Sequence, residues 1–372
     1  MKALKRFSQL EFRVLFSAPT LPPPASSSAC KLQCTVAMDH LEEGEVPNHA
    51  ARDFRATPKR KRRRRKADDQ SIFAECGFPW SEKTTVDELE KHISNSKVYD
   101  KDGIIALNKP AGIPVTAGSQ DNLVSVVEIL PKLVEAIGKP AAEIAKAAKK
   151  ESSGLLLLGE DKQTANALSD AFLMARRRNQ LIRKYWALTV GIPSPVQGTI
   201  NLPIGAEKIG DQTLMVPKRD ASKGSFERKE VFPCRTEYRV LSANHDLNCC
   251  LLELQPLKLQ NQQFQVHLSN KLCSILGDRL YSNQIRDILG VPVLVDPHRA
   301  AIGTQNIPEG VQKVLGLRAQ HMSRLPLFLH WYQVTLPKWR QKRDVSIQAT
   351  PPGYFMEAVK RLGLSAGACG TL

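Results

Sequence analysis

Short apolar runs recur from about residue 100 onwards, and they predict a set of β-strands. The runs are Gly103–Pro110, Gly154–Asp161, Tyr185–Gly191, Thr236–Leu241 and Cys250–Leu254. They are rich in Leu, Ile, Val and aromatic residues, and two of them end at a Pro or a Gly, as strands often do. The chain therefore contains a substantial β-sheet.

Apolar positions at helical spacing predict three helices between these strands. The first covers Val86–Ile93, with Thr84 or Thr85 as its N-cap. The second covers residues 162–176, and the third covers Gln262–Leu272. Strands and helices are mixed without a regular βαβ alternation and without an internal repeat. The predicted fold class is therefore α+β rather than doubly wound.

The first part of the chain has a different composition. Residues 1–38 are basic, carry one acid (Glu11) and lead through a partly amphipathic stretch into Pro and Ser clusters. This composition is typical of a mitochondrial transit peptide, and a disordered basic tail is the alternative. We expect residues 1–70 to be targeting segment and linker, 71–97 a helical extension, 98–365 the folded domain and 366–372 a tail.

A run of eight basic residues, KRKRRRRK, occupies positions 59–66. Like charges repel and no apolar residue is present, so the run does not fold on itself. It could be a nuclear localisation signal, an RNA-gripping arm or a solvated linker.

The net charge of +16 is spread over the whole chain. Residues 1–70 contribute +7 and the remainder contributes +9. A basic folded body favours a polyanionic partner such as RNA or DNA, although a basic protein without such a role remains an alternative. No apolar run approaches the roughly 18 residues that a membrane span needs, so we expect no membrane association.

The eight cysteines show no metal-binding or disulfide framework. No CxxC pair occurs, and Cys30 and Cys34 have no second ligand pair nearby. We therefore expect no zinc site and a reducing compartment.

Five segments, in order, resemble the motifs of the RluA-type RNA pseudouridine synthases, and the resemblance spans about residues 98–365. They are LNKPAGIPV (Leu107–Val115), SSGLLLL (Ser152–Leu158), KYWALTVG (Lys184–Gly191), FQVHL followed by GDRLY (Phe264–Leu268 and Gly277–Tyr281), and LFLHWYQVTLP (Leu327–Pro337). Within this family the chain resembles a vertebrate mitochondrial form that acts on mRNA and also has a degenerate central motif.

The resemblance implies a mixed, mostly antiparallel central sheet in two halves with an RNA-binding cleft between them. The target uridine would be flipped out of its stack into a pocket in that cleft. Members of this family need neither a cofactor nor a metal. The expected partner is mitochondrial mRNA or rRNA, together with other RNA-processing or ribosome-assembly proteins.

The sequence departs from the family where the chemistry is performed. The family's catalytic carboxylate lies three residues before a Thr whose place Ser152 takes, so its position falls on Lys149. The Arg and His of the same motif fall on Ala147 and Lys146, and the Arg that pairs with the carboxylate falls on Gln265. A buried Arg without its carboxylate would cost about 3–5 kcal/mol. Acid and partner are therefore missing together, which supports the hypothesis that the site was remodelled as a unit.

Two other acids are candidates for the missing carboxylate. Glu151 is the nearest, but it matches the ordinary acidic position before the family's Thr-Ser-Gly, and we expect it to point away from the pocket. Glu143 is six residues before Lys149, which is a long way for a substitute. The catalytic residue is therefore unknown at this level, with Glu151 as a weak substitute.

Residues that would bind substrate and RNA are better preserved. Tyr185 matches the family aromatic that packs on the target base, although it could equally be sheet core. Lys184, Ser153 and Gly154 belong to the same substrate-binding motifs. The predicted RNA-binding cations are Lys149, Lys150, Arg176, Arg177, Arg178 and Arg183, with a solvated helix end as the alternative for the arginines.

Three other residues are predicted to be structural. His267 and His330 lie on apolar elements, and Lys109 is expected to position backbone rather than react.

Three functions follow from these observations. The first is uridine-to-pseudouridine isomerisation in mitochondrial RNA, as the resemblance implies. The second is RNA binding by a catalytically silent family member in mitochondrial RNA metabolism or ribosome assembly. The third is nucleic-acid binding in the nucleus, directed by the basic run. We expect the mitochondrial matrix, with the nucleus as the alternative.

Overall fold

The computed structural model describes residues 70–74, 77, 84–116, 123–341 and 343–365. The helices are α1 (Val86–Ser94), α2 (Val126–Ala136), α3 (Lys162–Arg177), α4 (Lys223–Glu227), α5 (Gln263–Ser269), α6 (Glu309–Leu315), α7 (Ala319–Met322) and α8 (Gly353–Arg361). The strands are β1 (Lys97–Lys101), β2 (Ile104–Lys109), β3 (Glu143–Ala147), β4 (Ser153–Gly159), β5 (Arg183–Val190), β6 (Gln197–Asn201), β7 (Ile204–Ile209), β8 (Gln212–Pro217), β9 (Val231–Phe232), β10 (Arg235–Asn244), β11 (Cys249–Pro256), β12 (Ser274–Ile275), β13 (Ile285–Ile288), β14 (Val291–Leu294), β15 (Leu329–Leu336) and β16 (Val345–Gln348).

One large sheet organises the folded region. Its strands run in the order β1-β2-β4-β15-β5-β11-β10-β6, and β3, β16 and β12 pair with β4, β15 and β5. The β4–β15 pair is parallel, whereas the other pairs are antiparallel. The predicted α+β class with a mostly antiparallel sheet is therefore confirmed.

Side chains of β2 and β4 enter two separate hydrophobic clusters. Ile105 and Leu107 of β2 and Leu156 of β4 pack with helices α1 and α2. Ile104 and Leu157 face the larger cluster, which also holds residues of α3, β5 and β11. Because side chains alternate along a strand, an unbroken apolar run is what a sheet covered on both faces requires.

The predicted elements are present with small changes of length. Helix α1 begins after Thr85, whose hydroxyl oxygen accepts a hydrogen bond from the Glu88 amide at 3.3 Å. The third predicted helix is shorter than expected, since α5 ends at Ser269 and Asn270 caps it. Helix α2 was not predicted, because Pro131 interrupts its pattern although it sits inside the helix.

The transit-like segment, the basic run at 59–66 and the predicted tail at 366–372 lie outside the described residues. Within the described part of the chain, no helix has the length and apolar character needed to cross a membrane.

Candidate active site

The position of the missing carboxylate lies in the tight turn between β3 and β4. The Ser152 amide donates to the Lys149 carbonyl at 3.1 Å and closes the turn. The Lys150 carbonyl accepts a bond from the Gly112 amide at 2.7 Å, which ties the turn to the loop after β2. The segments LNKPAGIPV and SSGLLLL, far apart in sequence, thus form one wall of the site.

Lys109 holds this wall from inside. Its side chain is fully buried, and its amine donates to the carbonyls of Pro110 (2.9 Å), Ile113 (2.9 Å) and Ser152 (3.1 Å). Burial lowers the pKa of Lys109 to about 7. The residue connects three backbone segments, as its predicted structural role requires.

The opposite wall is the segment before and within α5. Gln262 has a left-handed backbone (φ 55°), and its amide oxygen accepts bonds from the Met215 amide at 3.0 Å and the Tyr281 hydroxyl at 2.5 Å. Gln263 donates to the Thr236 hydroxyl at 2.9 Å. The side-chain amides of Gln262 and Gln263 therefore hold this wall in position.

Lys149 crosses from one wall to the other. Its amine donates to the Asn261 side-chain oxygen at 2.6 Å. Burial, with a smaller effect of Arg183, lowers the pKa of Lys149 to about 8, while Glu151 acts in the opposite direction. The amine is therefore mostly protonated at neutral pH, so a cation stands at the position predicted for the family's carboxylate.

The cavity around Lys149 is small. It has a volume of about 20 Å³ and is bordered by Lys149, Gln265, Glu151 and Leu329, among others. A space of this size admits about one water molecule. A flipped uracil is larger than this space, so the walls of the cavity would have to move apart to admit it.

Glu151 is exposed and borders this cavity, and the expectation that its side chain points away from the pocket stays a prediction. The turn closes between Lys149 and Ser152, and Glu151 within it is near enough to the Lys149 amine to oppose the lowering of its pKa. Glu143 is exposed and lies at the far end of β3, paired with Gly159. Among the described residues bordering the cavity, Glu151 is the single carboxylate.

Gln265 also borders the cavity and is 6% exposed. The positions of the acid and its Arg partner thus meet in space as the motifs indicated, but one carries an ammonium group and the other a neutral amide. Lys149 therefore lies near a neutral amide, whereas an Arg at position 265 would place a second cation beside it. This agrees with the hypothesis that the acid and its Arg partner were replaced together.

Tyr185 is core in this conformation. It is 2% exposed, with its ring stacked on Trp331 at 5.8 Å and tilted against Phe264 at 5.0 Å between centroids. Burial raises the pKa of its hydroxyl to about 12. The ring therefore has no free face for a base, and the alternative interpretation as sheet core describes it.

Ser153 and Gly154 serve the junction of β4 with β15. The Ser153 hydroxyl bonds to His330 Nδ1 at 2.9 Å, and His330 Nε2 bonds to the Ala349 carbonyl oxygen at 2.9 Å. Burial lowers the pKa of His330 to about 4. Gly154 has φ +120°, and a Cβ there would lie 2.4 Å from the Trp331 carbonyl oxygen. These contacts give both residues a structural role at the junction, and their predicted role in substrate binding stays a prediction.

His267 is structural as well. It bonds to the Thr236 hydroxyl at 2.9 Å and the Leu202 carbonyl oxygen at 3.1 Å. Burial lowers its pKa to about 4, so it is neutral at physiological pH.

Lys184 and the predicted RNA-binding cations other than Lys149 lie in four different surroundings. Lys184 forms an ion pair with Glu253 at 3.4 Å, and it shares this carboxylate with Arg239, which lies at 3.3 Å. Arg183 lies over the Phe172 ring at 5.4 Å and acts on Lys149 electrostatically. The remaining arginines, at the exposed end of α3, are Arg176, Arg177 and Arg178. Lys150 is half-buried beside Lys149.

Sequence reasoning missed two residues of this region. Asn261 holds the Lys149 amine, and Lys258 lies in a cavity next to the site. Both precede α5 in a stretch rich in Gln. This run of polar residues beside a family motif was the signal from which their place at the site could have been predicted. No group of three His, Cys, Asp or Glu is placed to hold a metal in the described part of the chain.

The sheet, the turn and the α5 wall together define a pseudouridine synthase fold. Residues 103–270 match the family model described as RNA pseudouridylate synthase. The chain is 32% identical to the mouse mitochondrial mRNA pseudouridine synthase Rpusd3 over 293 residues, covering 78% of this chain and 83% of the mouse protein. It is 31% identical to bovine mitochondrial pseudouridylate synthase RPUSD4 over 290 residues, covering 74% of this chain and 71% of that one.

A solved structure shows the same relationship. Human RNA pseudouridylate synthase domain containing 4 superimposes with a TM-score of 0.58 at 27% identity, covering 75% of this chain and 97% of that one. This chain belongs to the RNA pseudouridine synthase family.

Proposed function

We propose that this protein is a mitochondrial RNA pseudouridine synthase of the RluA type that works with a rebuilt active site. Family membership supports an RNA substrate, and the relatives with similar coverage are named mitochondrial, with mRNA as the substrate in the Rpusd3 name. The proposed substrate is therefore uridine in mitochondrial mRNA, with rRNA as the alternative, and the proposed compartment is the mitochondrial matrix.

The observation that carries the catalytic part is the position of Glu151. The isomerisation breaks the bond between the ribose and uracil N1, rotates the base and forms a bond to C5. A carboxylate beside the sugar serves as nucleophile or base in such chemistry. Glu151 borders the cavity of Lys149 and is the carboxylate available there among the described residues.

Lys149 would then have a supporting role. Its protonated amine lies in the same cavity, where a cation stabilises the negative charge that develops on uracil as the bond to the ribose breaks. To admit the base, the walls of this cavity would have to move apart.

The second candidate function is RNA binding without chemistry. Two observations favour it. The Lys149 amine is hydrogen-bonded to Asn261, and the cavity beside it holds about one water molecule, which leaves too little space for a uracil. In this case other proteins of mitochondrial RNA processing or ribosome assembly would supply any modification.

Tritium release from RNA that contains [5-³H]uridine separates these functions. The purified full chain is incubated with mitochondrial mRNA transcripts, and binding is measured in parallel by filter retention. Release with turnover supports the synthase. Tight binding with no release above a protein-free control contradicts the synthase and supports the second candidate.

A further inference from the structure

A second cavity lies beside the active-site cavity and is far larger. Its volume is about 340 Å³, within the range typical of small-molecule sites. Three cations border it, Arg176, Arg235 and Lys258, together with the apolar side chains of Leu257 and Pro233. No acidic residue is among the described residues that line it.

Two of the three cations are uncompensated. Arg235 forms an ion pair with Glu237 and donates to the Asn179 side chain at 3.1 Å. Neither Arg176 nor Lys258 forms an ion pair with any acid among the described residues. Burial, and then the charge of Arg176, lower the pKa of Lys258, so the two cations are near enough to repel each other. An anion placed between them would relieve this repulsion.

The cavity adjoins the candidate active site. Cys234 borders it and lies close enough to both Lys258 and Lys149 for their charges to affect the pKa of its thiol. Residues Leu257 and Lys258 line the large cavity, and the next two residues, Leu259 and Gln260, line the small one. Both cavities are therefore lined by the connection between β11 and α5. Two neighbouring cavities of this kind could bind successive nucleotides of one RNA strand.

We propose that this cavity binds one nucleotide of the RNA next to the target uridine, with its phosphate between Arg176 and Lys258. Phosphate contacts of this kind position a nucleic acid without reading its sequence. The apolar surface of Leu257 and Pro233 would receive the base, and the Asn201 amide in the same cavity offers both a donor and an acceptor to its edge. The inference rests on the proposed function, because it assumes that RNA lies in the adjoining cleft.

The test compares charge removal inside the cavity with charge removal outside it. Affinity for a single-stranded RNA is measured at several salt concentrations for the full chain and for Arg176→Gln, Lys258→Gln and Lys258→Arg. Lys162→Gln is the matched control, since Lys162 is exposed at the opposite end of α3 and lines neither cavity.

Each Gln variant is expected to weaken binding about tenfold and to reduce the salt slope by about 0.7, the value for one phosphate contact on a single strand. Lys258→Arg should retain the wild-type slope, and the control should change affinity less than twofold. Gln variants that behave like Lys162→Gln would overturn the proposal while wild-type RNA binding still stood. No RNA binding by the wild type would instead defeat the proposed function.

A second arm separates RNA from a free nucleotide. Uridine 5′-monophosphate is titrated while the Leu257 methyl resonances are observed. If the monophosphate shifts them and uridine does not, the phosphate contact is supported. If the monophosphate binds and the Gln variants leave RNA affinity unchanged, the occupant is a free nucleotide and the proposal for RNA is overturned.

Discussion

The junction of β4 with β15 and the turn that precedes β4 differ sharply, although they are adjacent in sequence. At the junction, Ser153 is bonded to His330, and Gly154 lies against the Trp331 backbone. In the turn, a lysine occupies the place of the family's carboxylate and reaches across to Asn261. The junction is held by buried contacts, whereas the turn places a charged side chain at a cavity.

The comparison indicates that the residues that hold the fold together and the residues that face the cavity can change independently. The junction is fixed by buried hydrogen bonds and by close backbone contact, so most substitutions there carry a cost in stability. The turn faces a cavity, where the motifs predict that Lys149 and Gln265 replaced a family Asp and Arg together, a joint change that leaves no buried Arg without its former carboxylate.

The junction should give the largest loss of stability. Gly154→Ala places a methyl group 2.4 Å from the Trp331 carbonyl oxygen at a φ of +120°. We expect the free energy of unfolding to fall by about 3 kcal/mol or more, measured by urea denaturation. Gly210→Ala is the control, because Gly210 has φ +60° and open space around it, and it should cost about 1 kcal/mol. Equal effects would show that the β4–β15 contact is not what constrains Gly154.

The next effect is expected at the residue that joins the two regions. Lys109→Met removes the amine that lies within hydrogen-bond distance of three buried carbonyls and should lower the free energy of unfolding by about 2 kcal/mol at pH 9. Lys162→Met is the exposed control and should change stability little.

The size of the Lys109 effect should depend on pH. The folded-state pKa of Lys109, about 7, is below its ordinary value of 10.5, so the unfolded chain binds more protons between these values. Stability of the wild type relative to Lys109→Met therefore rises as pH increases from 7 to 10. A difference that is flat over this range would contradict a strongly lowered pKa.

The smallest effect is expected from restoring the family's pair. Lys149→Asp alone places a carboxylate beside neutral Gln265, and Gln265→Arg alone places a second cation beside Lys149. Both single variants should be less stable than the wild type. The double variant should recover about 1–2 kcal/mol relative to their sum, measured as the coupling in a double-mutant cycle. A coupling near zero would mean that the two positions do not interact.

The sequence was most informative where local pattern and buried contact agree. The runs of β2, β4 and β5 and the caps of α1 are set by neighbouring residues, so periodicity found them. Helix α2 was missed because tertiary packing of Ile129 and Leu133 outweighs the signal of Pro131.

The candidate site was only partly accessible to sequence reasoning. Motif order placed Lys149 and Gln265 together, and the structure shows them at one cavity. The direction of Glu151 depends on how the turn closes, and the role of Asn261 depends on a contact over 112 positions of the chain. Neither is encoded in local spacing, and the burial of Tyr185 between Trp331 and Phe264 likewise needed coordinates.

The most direct measurement is the rate of tritium release from [5-³H]uridine RNA by the wild type, Glu151→Gln and Glu143→Gln. Glu143 is the control, because it is also an exposed acid of the β3–β4 hairpin but does not border the cavity. Glu151→Gln should lower the rate at least about 100-fold, as expected for loss of a catalytic carboxylate, with RNA affinity retained. Glu143→Gln should act at the wild-type rate. Release by Glu151→Gln at the wild-type rate, or no release by the wild type, would contradict a rebuilt site that uses Glu151.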